Sequence, residues 1–226
     1  MKQYKGLLLD LDHCLYDYDK AHKSAMEVLF EWAEVLTGRA KPEIEEAFSM
    51  SRKAVHSNLK NTAASHNRLL YFQGLFERLG LNPLDAALEA YEVYWGAFFE
   101  KMELREGTLE FLEKFEGEIC LLTDLTAQIQ YQKIDHLQLA PYLAHLVTSE
   151  EVGAEKPSPK MFETGLAKLG LLASEVCMIG DNYAKDCLGA ASVNIHSYWL
   201  QTGPEAQPEN PLVTHFTTFN QLTELL

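Results

Sequence analysis

Two carboxylates follow the first apolar run of the chain, and their spacing suits nucleophilic and acid–base chemistry. Asp10 and Asp12 come directly after KGLLL, and side chains two apart in an extended segment point the same way. Close carboxylates repel, so one takes up a proton unless a cation intervenes. Taken alone, such a pair more often marks two solvated acids at a turn. In a shared pocket, Asp10 would contact metal and phosphorus while Asp12 alternates between acid and base.

Further polar residues stand at the ends of later apolar runs. Thr123 and Asp124 end CLLTD, and Asp181 and Asp186 lie in GDNYAKD, again directly after an apolar stretch. Lys156 lies in EKPSPKMF just before a predicted helix, where proline keeps the loop extended and stiff. Ligands of open parallel sheets bind at the carboxyl ends of the strands. We therefore expect these side chains to share one pocket.

The elements that would position these residues follow two patterns of predicted secondary structure. Residues 5–10 are typical of a short buried parallel strand, and residues 21–101 predict four successive helices. After Leu104, strands and helices alternate, which predicts an α/β fold with a doubly wound parallel sheet. The helical block is then an insertion after the first strand. The predicted domains are 18–102 for the four helices, and 1–17 with 103–226 for the α/β domain.

The composition limits the partners and the compartment. Acidic residues outnumber basic ones by 33 to 19, a net charge of −14, which disfavours nucleic acid polymers and anionic membranes as partners. No stretch approaches the roughly 20 apolar residues of a membrane span. The four cysteines lack metal-binding spacing, and MKQYKGLLLDLD does not match a signal peptide. A cytoplasmic location is expected.

Four segments resemble, in order, the motifs of the haloacid dehalogenase-like (HAD) hydrolase superfamily: DLDHCLYD, CLLTD, the EKPSP lysine and IGDNYAKD. The resemblance implies a Rossmann-like core in which Asp10 is the nucleophile and forms an aspartyl-phosphate. Asp12 would be the general acid/base. Thr123 and Lys156 would bind the phosphoryl group. The inserted helices resemble the cap domain of the branch that contains phosphatases, dehalogenases and β-phosphoglucomutase.

The resemblance also implies a bound Mg²⁺. The ion would lie between Asp10, the backbone carbonyl of Asp12 and Asp181, with Asp186 as a ligand or close by. Counting charges supports the metal separately, because four aspartates against Lys156 alone leave −3, and a phosphate could hardly enter without a divalent cation. Oxygen ligands around a phosphate favour magnesium over zinc.

Two positions depart from the motifs. Cys14 stands where Thr or Val is usual, and similar volume predicts that packing survives. Asp124 stands where Asn is common, which adds a carboxylate beside the predicted phosphate site. It is counted with Thr123 and Lys156 as a substrate-binding candidate.

Specificity would come from the cap, since the core residues contact only the phosphoryl group and the metal. The segments around the candidates are weakly similar to nucleotidases that act on nucleoside monophosphates. His66 and Arg68 are expected at the surface unless the cap closes over them. The candidates are Tyr16, Tyr18, His66 and Arg68.

The leading hypothesis is a magnesium-dependent phosphatase of small-molecule phosphate monoesters, with nucleoside monophosphates and sugar phosphates as candidates. Asp12 favours a C–O–P substrate, because an alkoxide leaving group needs a proton and a halide does not. A sugar phosphomutase needs the same residue and stays open. A catalytically silent binding protein with this fold is the third hypothesis.

Overall fold

The computed structural model describes residues 4–201, 203 and 209–225. The chain divides into two compact units, one formed by Tyr18–Met102 and the other by Met1–Asp17 with Glu103–Leu226. Leu226, the last residue of the predicted terminal helix, lies outside the described residues. Within the part of the chain described, no helix is both long and apolar enough to cross a membrane.

The α/β unit is built on a parallel sheet, which confirms the predicted fold class. In the described ranges it has six strands in the order β3-β2-β1-β4-β5-β6. The chain runs outward from β1 through β2 to β3, and from β4 through β5 to β6. The strands are β1 Gly6–Leu9, β2 Glu118–Thr123, β3 His145–Thr148, β4 Val176–Gly180, β5 His196–Leu200 and β6 Val213–Phe216.

The helices of both units follow the predicted order. In the helical unit they are α1 Tyr18–Thr37, α2 Lys41–Asn58, α3 Arg68–Arg78 and α4 Ala87–Glu100. The α/β unit adds α5 Thr108–Lys114, α6 Ala127–His136, α7 Ser149–Val152, α8 Pro159–Leu169, α9 Leu188–Ser192 and α10 Phe219–Leu225. The predicted helix near 183–191 begins as a π-helical turn, Tyr183–Cys187, and α7 was not expected.

Apolar burial explains why the sheet forms. All four residues of β1 are buried, as expected for a central parallel strand that is covered on both faces. Helix α8 packs against this part of the sheet through Met161 and Phe162. A Cβ at Gly165 would lie 2.6 Å from Leu8 Cδ2, so glycine allows the close approach of α8 to β1.

The helical unit has an aromatic core. Proline stands in the first turn of α2, and Gly38 and Gly80 adopt positive φ after α1 and α3. Phe48 and Phe72 are buried and stacked with ring centroids 6.1 Å apart. The aromatic residues of α4 pack at helical spacing, and Tyr94, Trp95 and Phe98 are buried, as a core face requires.

Candidate active site

The sheet register brings three strand ends together. Leu9, the last residue of β1, pairs with Leu121 of β2 and Ile179 of β4. The strand order reverses between β1 and β4, and such a switch point forms a crevice at the carboxyl ends of the strands. Asp10, Thr123 and Asp181 therefore come from neighbouring strand ends.

Lys156 connects two of the predicted carboxylates. Its Nζ lies 2.5 Å from Asp10 Oδ1 and 2.7 Å from Asp186 Oδ1, and its side chain is 3% exposed. Burial would lower the pKa of this ammonium, but Asp10 and Asp186 hold the pKa well above its usual range. Lys156 is therefore a fixed positive charge inside the site.

Three carboxylates form a cluster that could hold a metal ion. Oxygens of Asp10, Asp181 and Asp186 lie within 4.8 Å of one another. Burial raises the pKa of Asp10 well above its usual range; the Lys156 ammonium opposes this rise, and the Asp186 and Asp181 carboxylates add to it. Burial and the nearby Asp186 raise the pKa of Asp181 to about 6. Hard oxygen donors that repel one another suit a divalent cation such as Mg²⁺.

Backbone geometry at β4 brings Asp186 into this cluster. The Asp186 Oδ2 accepts a hydrogen bond from the Asn182 N–H at 2.9 Å, within the turn that follows β4. A Cβ at Gly180 would lie 2.4 Å from the Asp186 carboxylate. Glycine is thus the residue that leaves room for Asp186. The π-helical turn that carries Asp186 is of a kind often found at functional sites.

Asp12 is held by three donors, two of which were missed from the sequence. Lys133 Nζ lies 2.5 Å from Oδ1, Gln130 Nε2 donates to Oδ2 at 3.0 Å, and the Tyr16 hydroxyl also donates to Oδ1. Burial would raise the pKa of Asp12, but the Lys133 ammonium and these hydrogen bonds lower it. Among the described residues, the Asp12 carboxylate is not part of the three-carboxylate cluster, and the contact of its backbone carbonyl with the metal stays a prediction.

Thr123 is joined to Asp12 through one side chain. Gln130 Nε2 also lies 2.6 Å from Thr123 Oγ1, and Thr123 is fully buried. The Thr123 hydroxyl donates to the backbone oxygen of Asp124 at 3.2 Å. Gln130 therefore couples the predicted phosphate-binding residue to the predicted acid/base.

Asp124 is engaged within the protein. Its Oδ1 accepts from the backbone N–H of Lys156 at 2.9 Å, and its Oδ2 accepts from Lys185 Nζ at 2.8 Å. The structure thus places this carboxylate as a support of the Lys156 loop.

The predicted charge of the site was wrong because it counted only one lysine, Lys156. Lys133 and Lys185 also pair with aspartates of this site. The site residues leave a formal charge of −2 when all are ionised, namely Asp10, Asp12, Asp124, Asp181, Asp186, Lys133, Lys156 and Lys185.

The loop after the nucleophile has its own support. Arg105 donates through Nη2 to the His13 oxygen at 2.9 Å and through Nε to the Cys14 oxygen at 3.1 Å. Cys14 is fully buried, and burial raises the pKa of its thiol well above the usual range. A packing role is therefore favoured over a reactive one.

The residues predicted to determine substrate specificity belong to different units. Tyr16 belongs to the α/β unit, is fully buried and binds Asp12. Tyr18 and Arg68 meet in the helical unit, where Arg68 Nη2 donates to the Tyr18 hydroxyl. His66 is half-buried. The surface expectation for Arg68 was wrong, because rings of α3 and α4 surround its guanidinium and leave it 7% exposed.

Comparison with known proteins defines the class. Residues 4–194 match the model of the haloacid dehalogenase-like hydrolase family, and the chain belongs to this family. It is 35% identical over 206 residues to a ribulose-1,5-bisphosphate 5-phosphatase of Halopiger xanaduensis, covering 89% of this chain and 86% of the relative. It is 26% identical to a glyceraldehyde 3-phosphate phosphatase of Methanopyrus kandleri, covering 91% of this chain and 88% of the relative.

Solved structures share the fold. A HAD phosphatase from Thermococcus onnurineus has a TM-score of 0.76 at 21% identity, covering 98% of this chain and 97% of that one. A 2-haloacid dehalogenase from Pseudomonas syringae has a TM-score of 0.77 at 22% identity, with the same coverage of 98% and 97%.

Proposed function

We propose that the chain is a magnesium-dependent phosphatase that hydrolyses a small-molecule phosphate monoester through an aspartyl-phosphate on Asp10. One observation supports the proposal above all others. The carboxylate of Asp12, shortly after strand β1, accepts hydrogen bonds from three side-chain donors on its two oxygens. A group fixed in this way suits proton transfer to an alkoxide leaving group.

The enzyme is a hydrolase of phosphoric monoesters. Relatives up to 35% identical are named phosphatases, and a further relative at 25% identity over 99% of this chain is a pyrimidine 5′-nucleotidase of Escherichia coli. The first of these names favours a sugar phosphate as the substrate of this chain, and the last keeps a nucleoside monophosphate open.

In the first step, an oxygen of Asp10 attacks phosphorus and the bond from phosphorus to the ester oxygen breaks. The negative charge of the bound ester favours uptake of a proton by Asp12. That proton then moves to the leaving alkoxide, which departs as an alcohol. Lys133, Gln130 and Tyr16 stabilise the Asp12 carboxylate that remains. Lys156 offsets negative charge at the nucleophile throughout.

In the second step, Asp12 takes a proton from a water molecule, whose oxygen attacks the phosphorus of the aspartyl-phosphate. The bond from phosphorus to the Asp10 oxygen breaks, inorganic phosphate forms, and both aspartates return to their starting states. The Thr123 hydroxyl would turn from the Asp124 backbone oxygen to a phosphoryl oxygen. Asp124 keeps the Lys156 backbone in place rather than binding substrate.

Asp10, Asp181 and Asp186 are the residues whose side chains would hold Mg²⁺, with the Asp12 backbone carbonyl. When bound, the ion supplies charge neutralisation and polarisation of the phosphoryl group. Burial raises the pKa values of Asp10 and Asp181, and repulsion by neighbouring carboxylates raises them further; such an ion would relieve that repulsion.

Residues 18–102 would serve as the cap that selects the substrate. A cytoplasmic location is proposed with it, since all four cysteines are free and buried. The net charge of −14 keeps small phosphorylated molecules, rather than nucleic acid polymers or membranes, as the proposed partners.

A phosphate-release assay tests the proposal. Wild-type protein with Mg²⁺ should release inorganic phosphate from at least one ester in a panel of sugar phosphates, nucleotides and phosphorylated acids. Asp10→Asn should abolish release, while Asp135→Asn, an exposed site on α6, should retain it. Undiminished turnover by Asp10→Asn would falsify the mechanism. Isomerised ester with little free phosphate would instead identify a mutase.

A further inference from the structure

We propose that the helical unit contains an anion-binding site centred on Arg68, whose ligand is a phosphate or carboxylate group. This inference rests on the proposed function only where it names the substrate of the enzyme as the molecule that carries the anionic group. The side chains that form the site all belong to residues 18–102, which the structure describes throughout.

Arg68 is a buried cation without a carboxylate. It exposes 7% of its surface, and it forms no ion pair with any acid in the described ranges. Its Nη1 donates to the His66 oxygen at 2.7 Å, and its Nη2 donates to the Tyr18 hydroxyl. Among described residues, the buried Nε has no hydrogen-bond partner.

Leaving such a group unmatched is costly. A guanidinium carries five N–H donors; two of them donate to protein oxygens here, and the Tyr94 hydroxyl also interacts with the guanidinium. Buried charges in proteins are usually paired, and an unsatisfied buried donor costs free energy. An anion would satisfy Nε and neutralise the charge at once, through the paired hydrogen bonds that guanidinium forms with phosphate or carboxylate.

The surroundings select for an anion. The Arg68 Cζ lies 5.3 Å from the ring centroid of Tyr71, 5.7 Å from that of Tyr94 and 6.0 Å from that of Trp95. These rings hold the cation without neutralising it. A histidine contacts one of these aromatic residues: His22 Nδ1 lies 2.7 Å from the Tyr94 hydroxyl.

A second histidine pair extends the same neighbourhood. The His56 Nε2 lies 2.9 Å from the Tyr71 hydroxyl, and the His56 and His66 rings are 5.0 Å apart. In a chain of net charge −14, the buried Arg68 guanidinium is a local positive charge, and the three histidines near its aromatic neighbours add polar ring nitrogens. The chemistry therefore points to a phosphate or carboxylate ligand rather than a cation.

The anion has two candidate sources. It is either a free ion such as inorganic phosphate, or a second anionic group carried by the phosphate ester that the enzyme hydrolyses. The second source would make the preferred substrate a bisphosphate or a phosphorylated acid.

Nuclear magnetic resonance tests the site directly on the full-length chain. The Arg68 Nε–H signal is assigned by its loss in Arg68→Lys, and wild type is titrated with inorganic phosphate without divalent cation. A saturable shift of that signal is expected. Isothermal titration calorimetry with phosphate compares the variants, since Arg68→Met lacks the Nε–H signal: Arg68→Met should weaken phosphate binding at least about tenfold, whereas Arg78→Met, exposed on the same helix, should not.

Kinetics separates the sources. With a bisphosphate and the monophosphate of the same sugar, Arg68→Met should lower kcat/KM at least about tenfold for the bisphosphate alone if the substrate carries the anion. If Arg68→Met changes kcat/KM equally for the bisphosphate and the monophosphate, while wild type keeps the phosphate-dependent shift, the ligand of the site is a free ion. Asp10→Asn should lose turnover yet keep the shift, so failure of the proposed function is distinguishable. No shift with phosphate or acetate up to about 50 mM, together with an unchanged substrate ratio, overturns the site.

Discussion

The Lys133 ammonium lies 2.5 Å from Oδ1 of Asp12, and the two residues are 121 positions apart in the chain. Lys133 has no exposed side-chain surface, whereas the Asp12 side chain is 18% exposed. The lysine is therefore inside the protein and the carboxylate faces a partly open space. This pair makes Lys133 a positioning residue for the proposed acid/base.

Lys133→Met is expected to lower kcat for an alkyl phosphate by about 100-fold, because general acid–base catalysis by a positioned group typically contributes that much or more. Formation of the aspartyl-phosphate from p-nitrophenyl phosphate should fall far less, since nitrophenolate leaves without a proton. Rapid-quench measurement of the first turnover compares the two esters. Lys160→Met, at an exposed position of α8, is the control. Equal losses for both esters would show that Lys133 has only a structural role.

A double-mutant cycle tests the same pair by stability. Lys133→Met leaves a largely buried carboxylate without its cation, and Asp12→Asn leaves a buried ammonium unpaired. Each single change should lower the free energy of unfolding by on the order of 3 kcal/mol, and the double variant by less than their sum. Urea unfolding monitors all four proteins. Additive losses would mean that the two side chains do not interact.

Asp181→Asn should weaken metal binding and stabilise the metal-free protein. The substitution removes a carboxylate whose pKa burial and Asp186 raise to about 6, so repulsion in the empty cluster decreases. We expect the Mg²⁺ concentration for half-maximal activity to rise at least about tenfold and the metal-free unfolding free energy to increase by about 1 kcal/mol. Asp135→Asn should change neither quantity. A metal-free stability below that of wild type would contradict the repulsion argument.

Gly180→Ala should disable the cluster with a single methyl group. The added Cβ would lie 2.4 Å from Asp186 Oδ2, so the carboxylate must move. Activity with Mg²⁺ should fall at least about tenfold, as expected when a metal ligand or its support is displaced. Gly96→Ala is the matched control, because no atom lies within 4 Å of its Cβ and alanine favours the helix. Full Mg²⁺-dependent activity in Gly180→Ala would separate Asp186 from the metal.

The strands and most of the cluster could be predicted because they depend on local patterns. Short apolar runs that end in Asp10, Thr123 and Asp181 indicated parallel strands, and a parallel sheet brings their carboxyl ends to one edge. Helical spacing likewise indicated the core face of α4. These inferences need only the period of the pattern and the rule that strand ends meet.

Lys133, Gln130 and the environment of Arg68 were harder to predict. Gln130 and Lys133 occupy the buried face of α6 with Ile129 and Ile134, so polar residues at apolar positions were a usable signal. Their partner, however, is more than a hundred residues away. The burial of Arg68 depends on rings from two helices, and the use of Asp124 depends on Lys185, 61 positions later. Such contacts follow from tertiary packing rather than local spacing.

Chemical trapping of the nucleophile tests whether Asp10 is phosphorylated during turnover. Wild-type enzyme is mixed with a substrate and Mg²⁺, quenched in acid during turnover and reduced with borohydride, and the peptide that contains Asp10 is examined by mass spectrometry. We expect reduction of Asp10 to homoserine, because only an acyl phosphate is reduced under these conditions. Phosphate release with Asp10 unmodified in every quenched sample would contradict it.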